Sequence, residues 1–492
     1  MHNLHQILII ICLTVFSFCG FSQTYIGNIT LASQSQVNSF GSNNYSHIVG
    51  DLTISAIGSN VTDLTALSSL TQIDGKLAVR GQQILTSLTG LHNIDTVEDL
   101  TIYSNNAIIT LTGLNGLVHV KDNIYIAQNL DLMDLSGLNN LTYCGEKLSI
   151  SSNPDLASLH GLENLNESGK IDITGCHDLT SVSAINEINI LKGLEINSNG
   201  ELQLLPHFQN IDTIYGSVRI SSNPELTSFS GLDSIQYIDG YLSISNNPLL
   251  PNLHGLEALQ GVKAYCFVSF MHGLENLEGF NQLKSVGFLG IGDNQNLISF
   301  AGLEQLKAIT GDNLNIMNNQ SLTSISSLSN LSSTVGEINI FSNLSLQSLS
   351  GLDSINYVTK INIQGNSVLA DYCALNYLVH FGTVQGDFLV NNNQYNPTQQ
   401  DLLNNECANG VSISEISNNL DLYPNPCKNE FWISTETSKT LQINIRDIQG
   451  KEVFKTKYLT NHPLSIQLES GIYFLQSIDE NNVISNQKLI VD

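Results

Sequence analysis

The stretch KLSISSNPDLASLHGLENL, residues 147–165, returns as YLSISNNPLLPNLHGLEAL, residues 241–259. Working outward from either copy, an apolar anchor usually preceded by Gly recurs from Leu67 through Leu91, Leu162, Leu256 and Leu352 to Leu375, at a step of about 24 residues. A constant step of that size means a solenoid, in which each coil buries its apolar side only by stacking on its neighbours. Within a coil the first segment alternates apolar and polar residues, as in Leu148, Ser149, Ile150 and Ser151. That is the period of a half-buried strand, so one strand per coil is expected.

Three residues after the second apolar position stands Asn in eleven of fifteen coils, among them Asn105, Asn153, Asn223 and Asn343. Such a column predicts stacked amides inside a turn, each bonding backbone groups that the turn leaves unpaired as well as the amide of the next coil. Cys176 takes the same slot in one coil. The strand, the Asn and the following Leu resemble the leucine-rich repeat. The Gly before the strand, the Asn-Pro after it and the Gly-Leu-x-x-Leu turn are closer to the receptor L domain, over roughly residues 50–394. That resemblance implies a right-handed parallel β-solenoid of about 14–15 coils that recognises polypeptide or carbohydrate ligands without catalysis. Fifteen strands stacked about 4.8 Å apart give a rod on the order of 67 Å long.

The apolar run of residues 7–19 is too short to span a bilayer. With small residues at Gly20 and Ser22, it reads as a secretory signal peptide over residues 1–22. No later segment is long and apolar enough for a membrane span. Residues 23–50 do not fit the repeat and are expected to cap the solenoid of residues 51–394, since an open end offers unpaired backbone groups. Residues 395–418 form a second cap and a linker, with helix-start chemistry at Pro397 and Thr398. Cys144, Cys176 and Cys266 occupy repeat slots and are expected as buried thiols. Cys373 and Cys407 bracket the terminal cap, and export permits a disulfide between them. No Cys or His pair has ligand spacing and no cofactor motif occurs, so neither metal nor cofactor is expected.

From residue 419 the repeat stops, and seven of the chain's 18 Lys and Arg lie beyond that point. Alternating segments at Leu441-Ile443-Ile445 and Leu464-Ile466-Leu468 describe a small Ig-like β-sandwich, making the whole chain all-β. Leu422-Tyr423-Pro424-Asn425-Pro426, then Asp447 to Gly450-Lys451, Gly471-Ile472-Tyr473-Phe474 and Gln487-Lys488-Leu489-Ile490-Val491 resemble, in order, the type A sorting domain of type IX secretion. That resemblance implies an exported protein of a Bacteroidetes-type bacterium, secreted or held at its outer surface, with the type IX machinery as a partner and the domain commonly removed on the way out.

The formal charge of −26 sits mostly on the rod, with 35 acids against 11 bases, which disfavours a nucleic-acid partner. Chemistry should lie on the outward residues of the strand ladder, and the first outward position reads Tyr125, Ser149, Asp172, Glu195, Arg219, Ser243 and Phe267. Asp172 and Glu195 become neighbours, near the carboxylate spacing of a retaining glycosidase, or else a charge ladder closed by Arg219. Tyr103 with Tyr125, and Met317 with Phe341, form exposed pairs suited to sugar faces or apolar protein surface. Coil lengths of 23 to 25 leave no room for a large catalytic insertion. The sequence therefore favours a non-catalytic binding or adhesion module for a glycan or protein ligand over a polysaccharide-degrading β-helix enzyme or a structural surface-layer protein.

Overall fold

A computed structural model describes residues 23–55, 60–311, 313–332, 335–408, 421–423, 425, 427–434, 438–447, 451–478 and 484–491. The expected signal peptide, most of the linker, and Pro424, Pro426 and Gly450 of the sorting motifs lie outside the described residues. The chain divides into two compact units, residues 1–407 and 408–492. The first is a parallel solenoid of about 15 turns, with 25 strands in one hydrogen-bonded system.

Each coil has a main strand whose inward residues are fully buried, such as Leu148 and Ile150 stacked on Ile171 and Ile173 and then on Leu194 and Ile196. A shorter strand precedes it, as at Tyr237–Ile238, which pairs in parallel with Gly261 and Val262 of the next coil. The two ladders meet at a bend and form adjoining faces. After the main strand the chain turns through one residue with left-handed backbone, for example Ser152 at φ 54° and Ser222 at φ 57°. The column Asn follows at once. Asn223 is typical: its backbone N–H donates to Asn247 Oδ1 at 3.0 Å, and its side-chain amide donates to Ile196 O at 3.0 Å and to Asn247 Oδ1 at 3.3 Å. The same bonds repeat at Asn105, Asn129, Asn199, Asn294, Asn319 and Asn343, all buried. The amides answer the backbone groups that a tight turn inside the rod would leave unpaired.

Where Gly precedes the anchor it has a steric cause. Gly255 has φ +107°, and a Cβ there would lie 2.1 Å from the backbone of Phe229 in the preceding coil. Stacking at that distance admits only glycine.

The N-terminal segment differs from the expectation that it stands outside the repeat. Gln23–Ile26 and Ile29–Leu31 pair in parallel with Tyr45–Val49 and Leu52–Ser55, and so already form one rung of both ladders. The covering element is helix Gln34–Gly41, capped by Ser33, which buries Val37 and Phe40. At the other end helix Gln399–Leu403 begins with a reciprocal cap between Thr398 and Asp401. Cys373 and Cys407 are bonded there, and the N–H of Tyr372 donates to Cys407 O at 2.8 Å.

The second unit consists of small antiparallel sheets of three and four strands around Phe431, Ile433, Ile443, Leu475 and Leu489. Its motif residues have structural duties. Asn425 donates to Lys488 O at 2.7 Å and accepts from the N–H of Ile490 at 2.8 Å, clamping the last strand. Asp447 accepts from the N–H of Lys451 at 2.9 Å through its side chain and donates its own N–H to Lys451 O at 3.0 Å. The Tyr473 hydroxyl donates to Glu469 O at 2.8 Å, while Ile472 and Tyr423 remain exposed.

Candidate functional site

The outward side of the main ladder is a grid three residues wide. Because alternation continues one step before the first inward residue, Lys147, Lys170, Tyr241, Tyr265 and Phe288 also face outward, beside the column read from sequence. Parallel pairing sets Ser149, Asp172, Glu195 and Arg219 side by side on consecutive strands.

Contacts within the grid differ from a charge ladder closed by Arg219. Lys147 Nζ lies 2.8 Å from Asp172, and Lys170 Nζ lies 2.9 Å from Glu195, each lysine reaching diagonally across one strand. Thr174 also donates to Asp172 at 2.7 Å. With both carboxylates so held, Arg219 turns the other way, its guanidinium 5.8 Å from the centre of the Tyr241 ring. This is a cation–π arrangement. The Tyr241 hydroxyl in turn donates back to Glu195 at 3.3 Å, two coils away. Glu195, Arg219 and Tyr241 thus form one connected group, with a lysine on its flank.

An aromatic floor lies beyond it. Phe267 and Phe288 stand 4.8 Å apart, Tyr265 is 6.0 Å from Phe267 and 6.1 Å from Phe288, and Tyr265 is 48% exposed. Gly290 makes the floor possible, since a Cβ there would meet Phe267 at 2.6 Å and Phe288 at 2.7 Å. The other sequence candidates are placed apart from this group. Tyr103 and Tyr125 are stacked with ring centroids 6.0 Å apart and an interplanar angle of 22°. Met317 and Phe341 sit side by side in register on later coils.

Tyr241, Tyr265, Phe288 and the two lysines were missed by reading one outward position per strand. The signal that finds them is the same alternation carried two residues further toward the N-terminus. Among the described residues no group of three or more His, Cys, Asp or Glu is placed to hold a metal ion, and no helix is long and apolar enough to cross a membrane.

Two comparisons with known proteins bear on these units. A family model described as a secretion system C-terminal sorting domain matches residues 421–492. The chain is also similar to an endo-acting ulvan lyase of Formosa agariphila, 31% identical over 88 residues, which is 16% of this chain and 17% of the lyase. It therefore spans about a sixth of that relative's length, a stretch comparable in size to the sorting domain. The similarity to an enzyme overturns the expectation that the chain is not one. The C-terminal unit engages the type IX secretion machinery, and the protein is exported to the cell surface or the extracellular space.

Proposed function

We propose that the exported solenoid engages an extended polysaccharide along its outward ladder. The observation that carries this reading is the connected group of Glu195, Arg219 and Tyr241 leading onto the aromatic floor of Tyr265, Phe267 and Phe288. Aromatic faces stack on the apolar faces of sugars, while fixed carboxylates and cations hydrogen-bond the hydroxyls around the ring. From Asp172 to Phe288 the grid crosses six strands, about 24 Å at 4.8 Å per step, which suits several sugars in a row. Tyr103 with Tyr125, and Met317 with Phe341, serve in this reading as outlying platforms for a longer chain. The resemblance to the receptor L domain points the same way, toward ligand recognition on a rod surface.

A second reading is suggested by the lyase relative together with the contact between Tyr241 and Glu195. In an elimination on a uronate, a base takes the proton next to the carboxylate and the bond to the leaving sugar oxygen breaks. The electron pair from the C–H bond becomes the new double bond, and the oxygen leaves as a hydroxyl once protonated. In this reading Arg219 holds the carboxylate and Tyr241 moves the proton.

Both readings are tested with the full exported chain, on neutral and uronate-containing polysaccharides, by calorimetric binding and by ultraviolet absorbance of the unsaturated product. Tyr265→Ala and Arg219→Ala should each weaken binding by about 0.5–1.5 kcal/mol. Binding that survives both changes together rejects the ladder as the site. Absorbance growth that vanishes in Tyr241→Phe, with binding retained, assigns elimination to the same group.

A further inference from the structure

On the adjoining face, the short strand Tyr237–Ile238 runs beside Gly261 and then Ser285 of the next two coils. Gly261 leaves a gap in that row. A Cβ there would lie 3.4 Å from the Tyr237 ring and 3.5 Å from Ser285 Oγ, so any longer side chain would fill the space. The gap opens into a hollow of about 190 Å³ lined by Tyr237, Asp239, Gly261, Lys263, Ser285 and Thr310. Tyr237 is 46% exposed and forms one wall. Its ring is held in place, because its hydroxyl donates to Gln260 Oε1 at 3.3 Å. Lys284 Nζ donates to the same oxygen at 2.9 Å, and the Gln260 amide donates onward to Gln236 at 3.1 Å.

The charge around this hollow is the second observation. The rod is acidic, and Lys76, Lys147, Lys170, Lys192 and Lys360 each lie within 4.0 Å of a carboxylate. Among the described residues of the rod, four lysines have no such ion pair: Lys121, which stands alone, and Lys263, Lys284 and Lys307, which follow one another on successive coils. Unpaired cations gathered at one place on an acidic rod mark where an anion from outside is welcome. Asp239 adds an acceptor for hydroxyl groups. A wall of exposed tyrosine, an acceptor and neighbouring ammonium groups fit a hydroxylated ring that also carries an oxyanion, better than a bare anion.

We infer that this hollow is a binding site for a single sugar ring bearing a sulfate ester or a carboxylate, stacked on Tyr237 with its oxyanion toward Lys263 and Lys284. The site lies on the short-strand face and does not depend on the ladder reading. The full chain is titrated calorimetrically with dextran sulfate, polygalacturonate and neutral dextran. The native protein binds one or both anionic polymers and not dextran, and their relative strength separates sulfate from carboxylate recognition. Lys263→Ala with Lys284→Ala should lower affinity about tenfold or more. Gly261→Leu fills the hollow without altering charge and should lower it comparably, with the thermal melt unchanged. Should Gly261→Leu disturb folding, Tyr237→Ala at the exposed wall gives the same reading. Equal binding of dextran, or hollow variants that bind as the native protein does, overturns the assignment. Loss confined to Arg219→Ala with Tyr265→Ala overturns it as well, and moves the anionic ligand to the ladder.

Discussion

At the residue scale the coil is a balance between a strained turn and a buried amide. Left-handed backbone at a residue other than Gly costs on the order of 1 kcal/mol or more, and the Asn that follows offsets it by satisfying the turn. Phe270 is the exception: at φ 55° it is a bulky residue in that conformation, half exposed, and the next residue is Met271 rather than Asn. Phe270→Asn should therefore raise the urea midpoint by the equivalent of about 1 kcal/mol, because Asn tolerates left-handed backbone. An unchanged or lower midpoint would show that the ring has a packing duty there. Asn223→Ala should act in the opposite sense. It strands the N–H of Asn199 inside the rod, at about 1–3 kcal/mol for a buried unpaired group, and removes a donor from the carbonyl of Ile196. The Asn column was legible from sequence because a period of about 24 brings like residues together. The partner of Glu195 was not. Alternation tells which face a side chain occupies, whereas the choice between Lys170 and Arg219 depends on side-chain reach and on the ring of Tyr241, 46 positions further along.

At the scale of elements the terminal cap combines several modest devices. The disulfide Cys373–Cys407 closes a segment of 34 residues, and Tyr372, fully buried, donates its hydroxyl to Tyr395 O at 2.9 Å. Reduction, or Cys407→Ser, should cost about 2–4 kcal/mol. The loss should be local, read as faster amide exchange in residues 372–407 while central coils stay protected. Uniform deprotection of the whole rod would instead make the cap a condition of folding. The repeat-slot thiols report on the same event. Burial pushes Cys144 and Cys266 up to about 12 and Cys176 up to about 11, so they remain protonated and slow to alkylate. Labelling before the rod unfolds would contradict their placement. The cap cysteines were legible because they fall outside every repeat slot. The first rung at residues 23–31 was not, since it lacks the Gly and Asn that punctuate the later coils and is recognised only by its pairing.

At the scale of the whole molecule the two units divide the work: the solenoid carries the candidate binding surfaces and the C-terminal unit carries the address. The sorting motifs proved readable because they fix a strand clamp at Asn425 and a short-range contact between Asp447 and Lys451, and such constraints leave short local signatures. Removal of that unit after export predicts, by mass spectrometry, a mature chain ending between about residues 405 and 422, whereas intact chains through Asp492 on most surface molecules would refute it. The amide column has a consequence for how such a chain varies. Most of these Asn draw an oxygen from the following coil, Asn153 and Asn247 excepted because Cys176 and Met271 stand there, and the column ends at Asn393, whose backbone N–H and side-chain amide donate to Asn396 only three residues on, at 2.9 and 3.2 Å. Asn396 acts as a full stop, and everything before it is a sentence that can be shortened or extended by whole clauses. Unequal recombination between near-identical stretches such as residues 147–165 and 241–259 would add or delete coils without stranding any further donor, since Asn153 and Asn247 are both already followed by a residue other than Asn. Length would then become an inherited trait, altered in steps of about 4.8 Å, while the terminator and the address stay unchanged.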